Sequence, residues 1–308
     1  MHYLNWRVTM RNAFINELIE AAEHKNIALV VGDLGYSVVE PFAEAFPDRF
    51  FNAGVAEQNM MGLCAGLASE GFHVFVYSIA NFPIFRCAEQ IRNDVDYHNL
   101  PVTIVTVGGG VSYGNMGYSH HAIQDYAFMR SMPNIMIASP GDPMEVRACM
   151  RYLINNPGPS YLRLGKSGES CVHKSIPVVR PGRWLPIYGD NMSKTYLCTG
   201  ATLQLFYKMN AKSLLGEYAV KSMPLWGMNS KNYQSKELQK YMNVITVEDH
   251  LEDGGFGSWL LESVNANLRS RVTIKALESK ICGMVGKEGS LHDKNGLSFR
   301  SLIRSREL

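Results

Sequence analysis

Short apolar runs bounded by glycine, proline or aspartate alternate with helix-like stretches along this chain, and that alternation leaves few folds open. The runs are Ile27-Ala28-Leu29-Val30-Val31, His73-Val74-Phe75-Val76-Tyr77, Val102-Thr103-Ile104-Val105-Thr106-Val107, Asn134-Ile135-Met136-Ile137-Ala138 and Tyr161-Leu162-Arg163-Leu164. Between them the pattern predicts helices over Met10 to His24, Gln58 to Ala68, Phe85 to Tyr97 and Pro143 to Asn155. Strand-sized apolar runs alternating with helices describe a parallel sheet covered on both faces. A polar stretch with Pro and Gly from Ser167 to Asn191 reads as a linker. The pattern then restarts with Tyr196-Leu197-Cys198, Val244-Ile245-Thr246-Val247 and Val272-Thr273-Ile274-Lys275-Ala276. The expected fold class is therefore α/β with two doubly wound domains, residues 1–185 with a mostly parallel sheet and a smaller unit over residues 186–308. A chain of 308 residues is long enough for two cores.

Charge and cysteine usage narrow the function classes. The formal net charge is only +2 and no Lys/Arg run occurs, which argues against nucleic-acid or membrane-surface partners. Six widely separated cysteines, without CxxC or Cys/His ligand spacing, indicate neither a zinc site nor a disulfide framework. They read as reduced core thiols of a cytoplasmic protein. Met1 to Arg7 lacks the apolar run of a signal peptide, and no stretch approaches the roughly 18 apolar residues of a membrane span.

In an open parallel sheet the ligand site lies at the carboxyl ends of the strands. Gly32-Asp33-Leu34, Glu57, Asn81-Phe82-Pro83-Ile84-Phe85, the loop from Gly108 to His121 and Gly165-Lys166 all fall at such ends. Glu57 follows small residues and opens a helix-like run. The helix N-terminus there favours its anion while desolvation favours its protonated form, although a lone first-turn Glu commonly does no more than complement the helix dipole. Phe82 and Phe85, spaced i, i+3, are by themselves as consistent with core packing as with a ring platform. His120 offers an imidazole able to shuttle protons near neutral pH. His121 points elsewhere if the segment is extended. Gly108, Gly109 and Gly110 admit close backbone approach but lack GxGxxG spacing, so no dinucleotide site is read there.

The wording of Pro47-Asp48-Arg49-Phe50-Phe51-Asn52-Ala53-Gly54-Val55-Ala56-Glu57-Gln58-Asn59-Met60 resembles the "PDRFFNxGxAEQNM" signature of the transketolase family. Gly32-Asp33-Leu34 resembles its "ADL", Ser119-His120-His121 its "THQ" or "THH", and Ser139-Pro140-Gly141-Asp142 its "xPxD". Leu100-Pro101-Val102 opens a strand as in the related deoxyxylulose-phosphate synthases. The resemblance runs by motif from Arg11 to Gly168, and more loosely from Tyr196 onward, where Glu248-Asp249-His250 and Gly254-Gly255-Phe256-Gly257-Ser258 are similar to the family's C-terminal "EE … GGxGS".

That resemblance implies thiamine diphosphate with Mg2+ as cofactor, its pyrimidine ring held by the first domain. Glu57 matches the glutamate that hydrogen-bonds the aminopyrimidine nitrogen. Phe82 and Phe85 match the cradling aromatics, and their register depends on how Arg86 is aligned. Asp33 joins the cofactor-binding set. His120 matches the catalytic histidine that contacts substrate, Lys166 stands where a phosphate-binding arginine is usual, and Arg11 and Arg163 are weaker phosphate candidates. Met116 and Gly108 depart from the family's sugar-reading aspartate and second histidine, which puts the usual pentose phosphates in doubt. No Gly-Asp-Gly occurs anywhere in the chain. The resemblance then implies half of a split enzyme, needing an N-terminal partner subunit that carries the GDG diphosphate domain, in an α2β2 assembly. The expected reaction moves a two-carbon ketol unit from a ketose or ketose phosphate to an aldehyde. The alternatives are a 2-oxoacid dehydrogenase beta subunit, a deoxyxylulose-phosphate-synthase-like enzyme, and a noncatalytic scaffold.

Overall fold

The computed structural model describes residues 9–304, and the stretch Met1 to Arg7 lies outside the described residues. Twelve described strands form two sheets. The first contains β1 (Ile27–Val31), β2 (Phe50–Asn52), β3 (His73–Ile79), β4 (Val102–Val107), β5 (Met136–Ala138) and β6 (Ser160–Leu164). The second contains β7 (Leu185–Tyr188), β8 (Thr195–Cys198), β9 (Ala219–Ser222), β11 (Val244–Leu251) and β12 (Val272–Leu277), while β10 (Leu225–Gly227) joins the first sheet. Strand order is β10-β5-β6-β4-β3-β1-β2 and β12-β11-β8-β9-β7, parallel throughout except for the edge strands β10 and β7.

Burial explains the parallel arrangement. β1, β4 and β6 are buried at every position, as strands covered on both faces must be. The helices Met10–Ala22 and Pro143–Asn155 cover one face, with Phe14, Leu18, Val146 and Met150 in a single apolar cluster. The helix Glu57–Ser69 covers the other through Met60, Met61 and Cys64. Helix starts are chemically marked: Asp142 Oδ1 accepts from Glu145 N at 2.7 Å, and Pro143 occupies the first turn, where its missing N–H costs nothing.

Besides the strands Phe50–Asn52 and Ala219–Ser222, which no apolar run marked, the fold departs from the sequence reading at three elements. Leu185–Tyr188, inside the stretch read as linker, is an edge strand, a position where Pro186 is tolerated. Leu225–Gly227 leaves the second half of the chain to pair antiparallel with β5. The segment read as one helix over Phe85 to Tyr97 is split into turns at Phe82–Phe85 and Ala88–Gln90 and a π-helical turn at Ile91–Asp96, with Cys87 (φ −126°) breaking the first from the second. The two sheets also share packing, because Leu197, Trp226, Phe256 and Trp259 belong to the same cluster as Met60 and Tyr126.

Arg163 locks this junction. Its guanidinium is buried, pairs with Asp125 (Nε to Oδ2, 2.7 Å), and donates to Tyr126 Oη at 3.1 Å, Ala122 O at 2.7 Å and Asp249 O at 2.9 Å. With its donors taken by protein atoms, Arg163 serves the junction of the sheets, which replaces its reading as a phosphate ligand. No helix among the described residues is long and apolar enough to cross a membrane.

Candidate active site

In the first sheet β1 is followed outward by β2 and then, on its other side, by β3, so the chain reverses direction across the sheet between β1 and β3. Such a reversal opens a crevice beyond the carboxyl ends of the strands. Glu57 follows β2, Phe82 and Arg86 follow β3, Tyr113 and His120 lie in the loop after β4, and Lys166 follows β6.

These side chains form one continuous line. Glu57 is the first residue of its helix and only 5% exposed. Arg86 Nη1 donates to Glu57 Oε1 at 2.6 Å, and the Arg86 guanidinium carbon lies 4.1 Å from the centre of the Phe82 ring. Phe82 meets His120 edge-on with centroids 5.4 Å apart, His120 lies 6.3 Å from Tyr113, and Lys166 Nζ stands 4.8 Å over the Tyr113 ring. Glu57 is therefore desolvated, as its segment predicts, but its surroundings are not merely apolar, because a half-exposed guanidinium compensates its charge. Next to it, burial and then the Glu57 charge push the Cys87 thiol up to about 12.

The loop carrying His120 is pinned from β3. Asn81 Nδ2 donates to Ser119 O at 3.2 Å and to His121 O at 2.7 Å, gripping the backbone on both sides of His120. Ser119 Oγ lies 2.9 Å from His120 Nδ1. Tyr118–His120 is a 3-10 turn, not the extended segment expected, and His121 is fully buried, where desolvation lowers its pKa. The glycines also act differently from expectation. A Cβ at Gly110 (φ +64°) would fall on the Asp249 carboxylate and one at Gly109 on Arg163, so the bareness of these positions lets the protein's own side chains in.

The remaining candidates are placed apart from this line. Phe85 is 48% exposed and leans on Phe128 with centroids 6.5 Å apart. Asp33 adopts φ 56° just beyond β1, a conformation supported by Asn52, whose Oδ1 accepts from Asp33 N at 3.0 Å and whose Nδ2 donates to Asp33 Oδ1 at 3.1 Å. Arg11 lies among Tyr77, Tyr113 and Glu169, and so meets the line only at Tyr113. Met116 and Gly108 flank the loop, Met116 exposed and Gly108 against Tyr113. Residue-level reading did not single out Asn81, Tyr113 or the Arg86–Glu57 pair. The available signal was a polar Asn and an aromatic at strand ends where ligand loops begin.

Fold and site define a doubly wound α/β protein whose strand ends near the reversal carry a desolvated carboxylate, an aromatic ring and a histidine. Residues 4–168 match the transketolase pyrimidine-binding domain. The chain belongs to the transketolase family and corresponds to its C-terminal half. It is 31% identical to a transketolase C-terminal section of Methanocaldococcus jannaschii, covering 96% of this chain and 94% of that protein. It is 30% identical to the B subunit of an apulose-4-phosphate transketolase of Phocaeicola vulgatus, over 85% of this chain and 86% of the relative. A solved structure described as a split-gene transketolase in an inactive β4 tetramer superposes with a TM-score of 0.79 at 29% identity, covering 97% of each chain.

Proposed function

We propose that this chain is the pyrimidine-holding subunit of a split transketolase, inactive without a partner subunit that carries the diphosphate and Mg2+ site. Residues 1–185 are taken as the pyrimidine-binding unit and residues 186–308 as the C-terminal unit, working in the cytoplasm. The observation that carries the reading is the line from Glu57 through Arg86 and Phe82 to His120, together with the absence of Gly-Asp-Gly from the sequence.

The donor set fits one half of thiamine diphosphate. An aminopyrimidine needs a carboxyl against its ring nitrogen and apolar surface on its faces, and Glu57 with Phe82, and Phe85 at the rim, offer that chemistry. Asp33 stands at the same strand-end crevice. When bound, thiamine diphosphate supplies a carbon nucleophile that can cleave a bond next to a ketose carbonyl. Glu57 holds and exchanges the proton at the pyrimidine nitrogen, a task that requires an acid of adjustable protonation. Arg86 engages only Oε1, and so keeps the carboxylate oriented within a dry site. His120, fixed by Asn81 and Ser119, is the group to move a proton at the substrate carbonyl oxygen. Lys166 supplies a point charge for a substrate phosphate, with Arg11 as a more distant cation.

A phosphorylated ketose donor and an aldehyde acceptor are the substrates this reading assigns, and an α2β2 complex is its assembly. Two observations on relatives support partner dependence: one is named as one subunit of its transketolase, and a structurally similar β4 tetramer is described as inactive. The test is calorimetric titration of thiamine diphosphate with Mg2+ into this chain alone and into its mixture with a GDG-containing subunit. Tight binding in the mixture alone is expected, and absence of binding in both overturns the reading.

A further inference from the structure

We propose that Asp249, Glu288 and His292 form a binding site for a divalent transition-metal ion of the manganese-to-zinc series, separate from the line that starts at Glu57. Asp249 sits in β11, while Glu288 and His292 lie on the helix Glu288–Lys294, spaced i, i+4 and so on one face of it. One donor atom from each residue falls within a group whose members are all within 4.8 Å of one another.

Two features favour an ion over a simple hydrogen-bonded cluster. Asp249 is 1% exposed, and its Oδ2, which lies against Gly110 with only the Val111 backbone beside it, has no side-chain partner, so the buried carboxylate keeps coordinating capacity. Asp249 Oδ1 and His292 Nε2 are 3.0 Å apart. Ligands at about 2.1 Å from one ion are separated by about 3 Å at right angles and by about 3.4 Å at the tetrahedral angle of zinc, so an ion can replace the proton between these atoms with a shift of a few tenths of an ångström. Glu288 is restrained by one long contact from Ser112 Oγ at 3.3 Å, and a swing of its side chain completes the grip. Two carboxylates and one imidazole suit Mn2+, Fe2+, Co2+ or Zn2+ better than the all-oxygen preference of Mg2+ or Ca2+.

The third requirement is access. Glu288, His292 and Ser112 line a cleft of about 580 Å³, which leaves room for water ligands on the open side. Lys208 faces Glu288 from this cleft, and Arg163 lies near Asp249. Arg163 opposes the ion less than its charge suggests, since Asp125 already compensates it. The position also matters for the active site: Gly286 N donates to Gly114 O at 3.1 Å and Asp249 packs on Gly110, so an ion here would brace the loop that ends in His120.

The test is titration of the full chain with Zn2+ by calorimetry and with Co2+ by visible absorption, with Glu288→Gln, His292→Gln and the control His98→Gln in parallel. The expected result is one ion per chain, at least about tenfold weaker binding in each of the first two variants, and unchanged binding in the control. Glu288→Gln alters a partly buried side chain at the cleft edge, and a thermal melt separates lost binding from lost folding. The proposal is overturned if the wild-type chain binds neither ion, if the two ligand variants bind as the wild type does, or if His98→Gln removes the site.

Discussion

Arg86 and Glu57 meet across 2.6 Å, and the same guanidinium lies over the Phe82 ring at 4.1 Å. One arginine thereby positions both the carboxylate assigned to the cofactor's ring nitrogen and the aromatic assigned to its face. Replacing Glu57 by Gln keeps a hydrogen-bonding side chain but removes proton exchange. In the two-subunit complex, Glu57→Gln is expected to lower turnover by at least about 100-fold. Calorimetric partner binding should be unchanged, and retained turnover would falsify the assignment.

Arg86 makes a separable prediction. Arg86→Lys keeps the positive charge but loses the planar contact with Phe82, a contact of about 1 kcal/mol at a partly exposed site. Cofactor affinity measured by titration is expected to fall by less than tenfold in Arg86→Lys and by more in Arg86→Ala. Equal affinities in all three proteins would mean that Arg86 orients nothing.

Asn81 holds the backbone on both sides of His120, so Asn81→Ala leaves two carbonyls without that donor. Losing such bonds costs about 1–3 kcal/mol, here concentrated in the loop. The expected outcome is a fall in kcat of about tenfold or more with KM little changed, since positioning of the proton-transfer group is what suffers. A change confined to KM would assign the loop to binding alone.

Arg163→Met removes the cation from a buried pair while leaving the Asp125 carboxylate inside. Breaking a buried pair in this way costs about 3–5 kcal/mol. Urea unfolding should show a loss of that order, and a loss under about 1 kcal/mol would deny Arg163 its role at the junction of the sheets.

Glu145 predicts a pH effect on stability. It is buried beside the helix-capping Asp142, its Oε2 accepting from Gly141 N at 2.7 Å, and burial followed by repulsion from Asp142 pushes it up from 4.5 to about 7. The folded chain therefore keeps a proton that the unfolded chain loses. Its stabilising contribution is complete below pH 4.5 and is lost as pH rises through about 7. Unfolding midpoints of Glu145→Gln, which cannot titrate, are expected to gain on the wild type as pH rises over that window. A difference independent of pH would refute the shift.

The legible parts of the sequence were those governed by local pattern. The helix Pro143–Asn155 follows from an Asp cap, a Pro in the first turn and an apolar stripe, all within neighbouring residues. The strands β1 and β4 follow from unbroken apolar runs. The edge strands β7 and β10 did not announce themselves, because three or four residues at a sheet edge are specified by what they pair with. At the proposed site, motif wording nominated Glu57, Phe82 and His120, whereas the Arg86 bridge, the Asn81 clamp and the burial of His121 depend on contacts between different strand ends.

The order of apolar runs and helices, the carboxylate at the head of a helix and the lack of a Gly-Asp-Gly segment were determined by the sequence itself, since each is a matter of residue type and spacing. Tertiary structure alone decided that Arg86 compensates Glu57, that Arg163 ties the sheets together, and that Asp249 meets His292 across 43 residues of chain. Those contacts arise from sheet order and loop packing, which bring distant residues together at distances that no local spacing encodes.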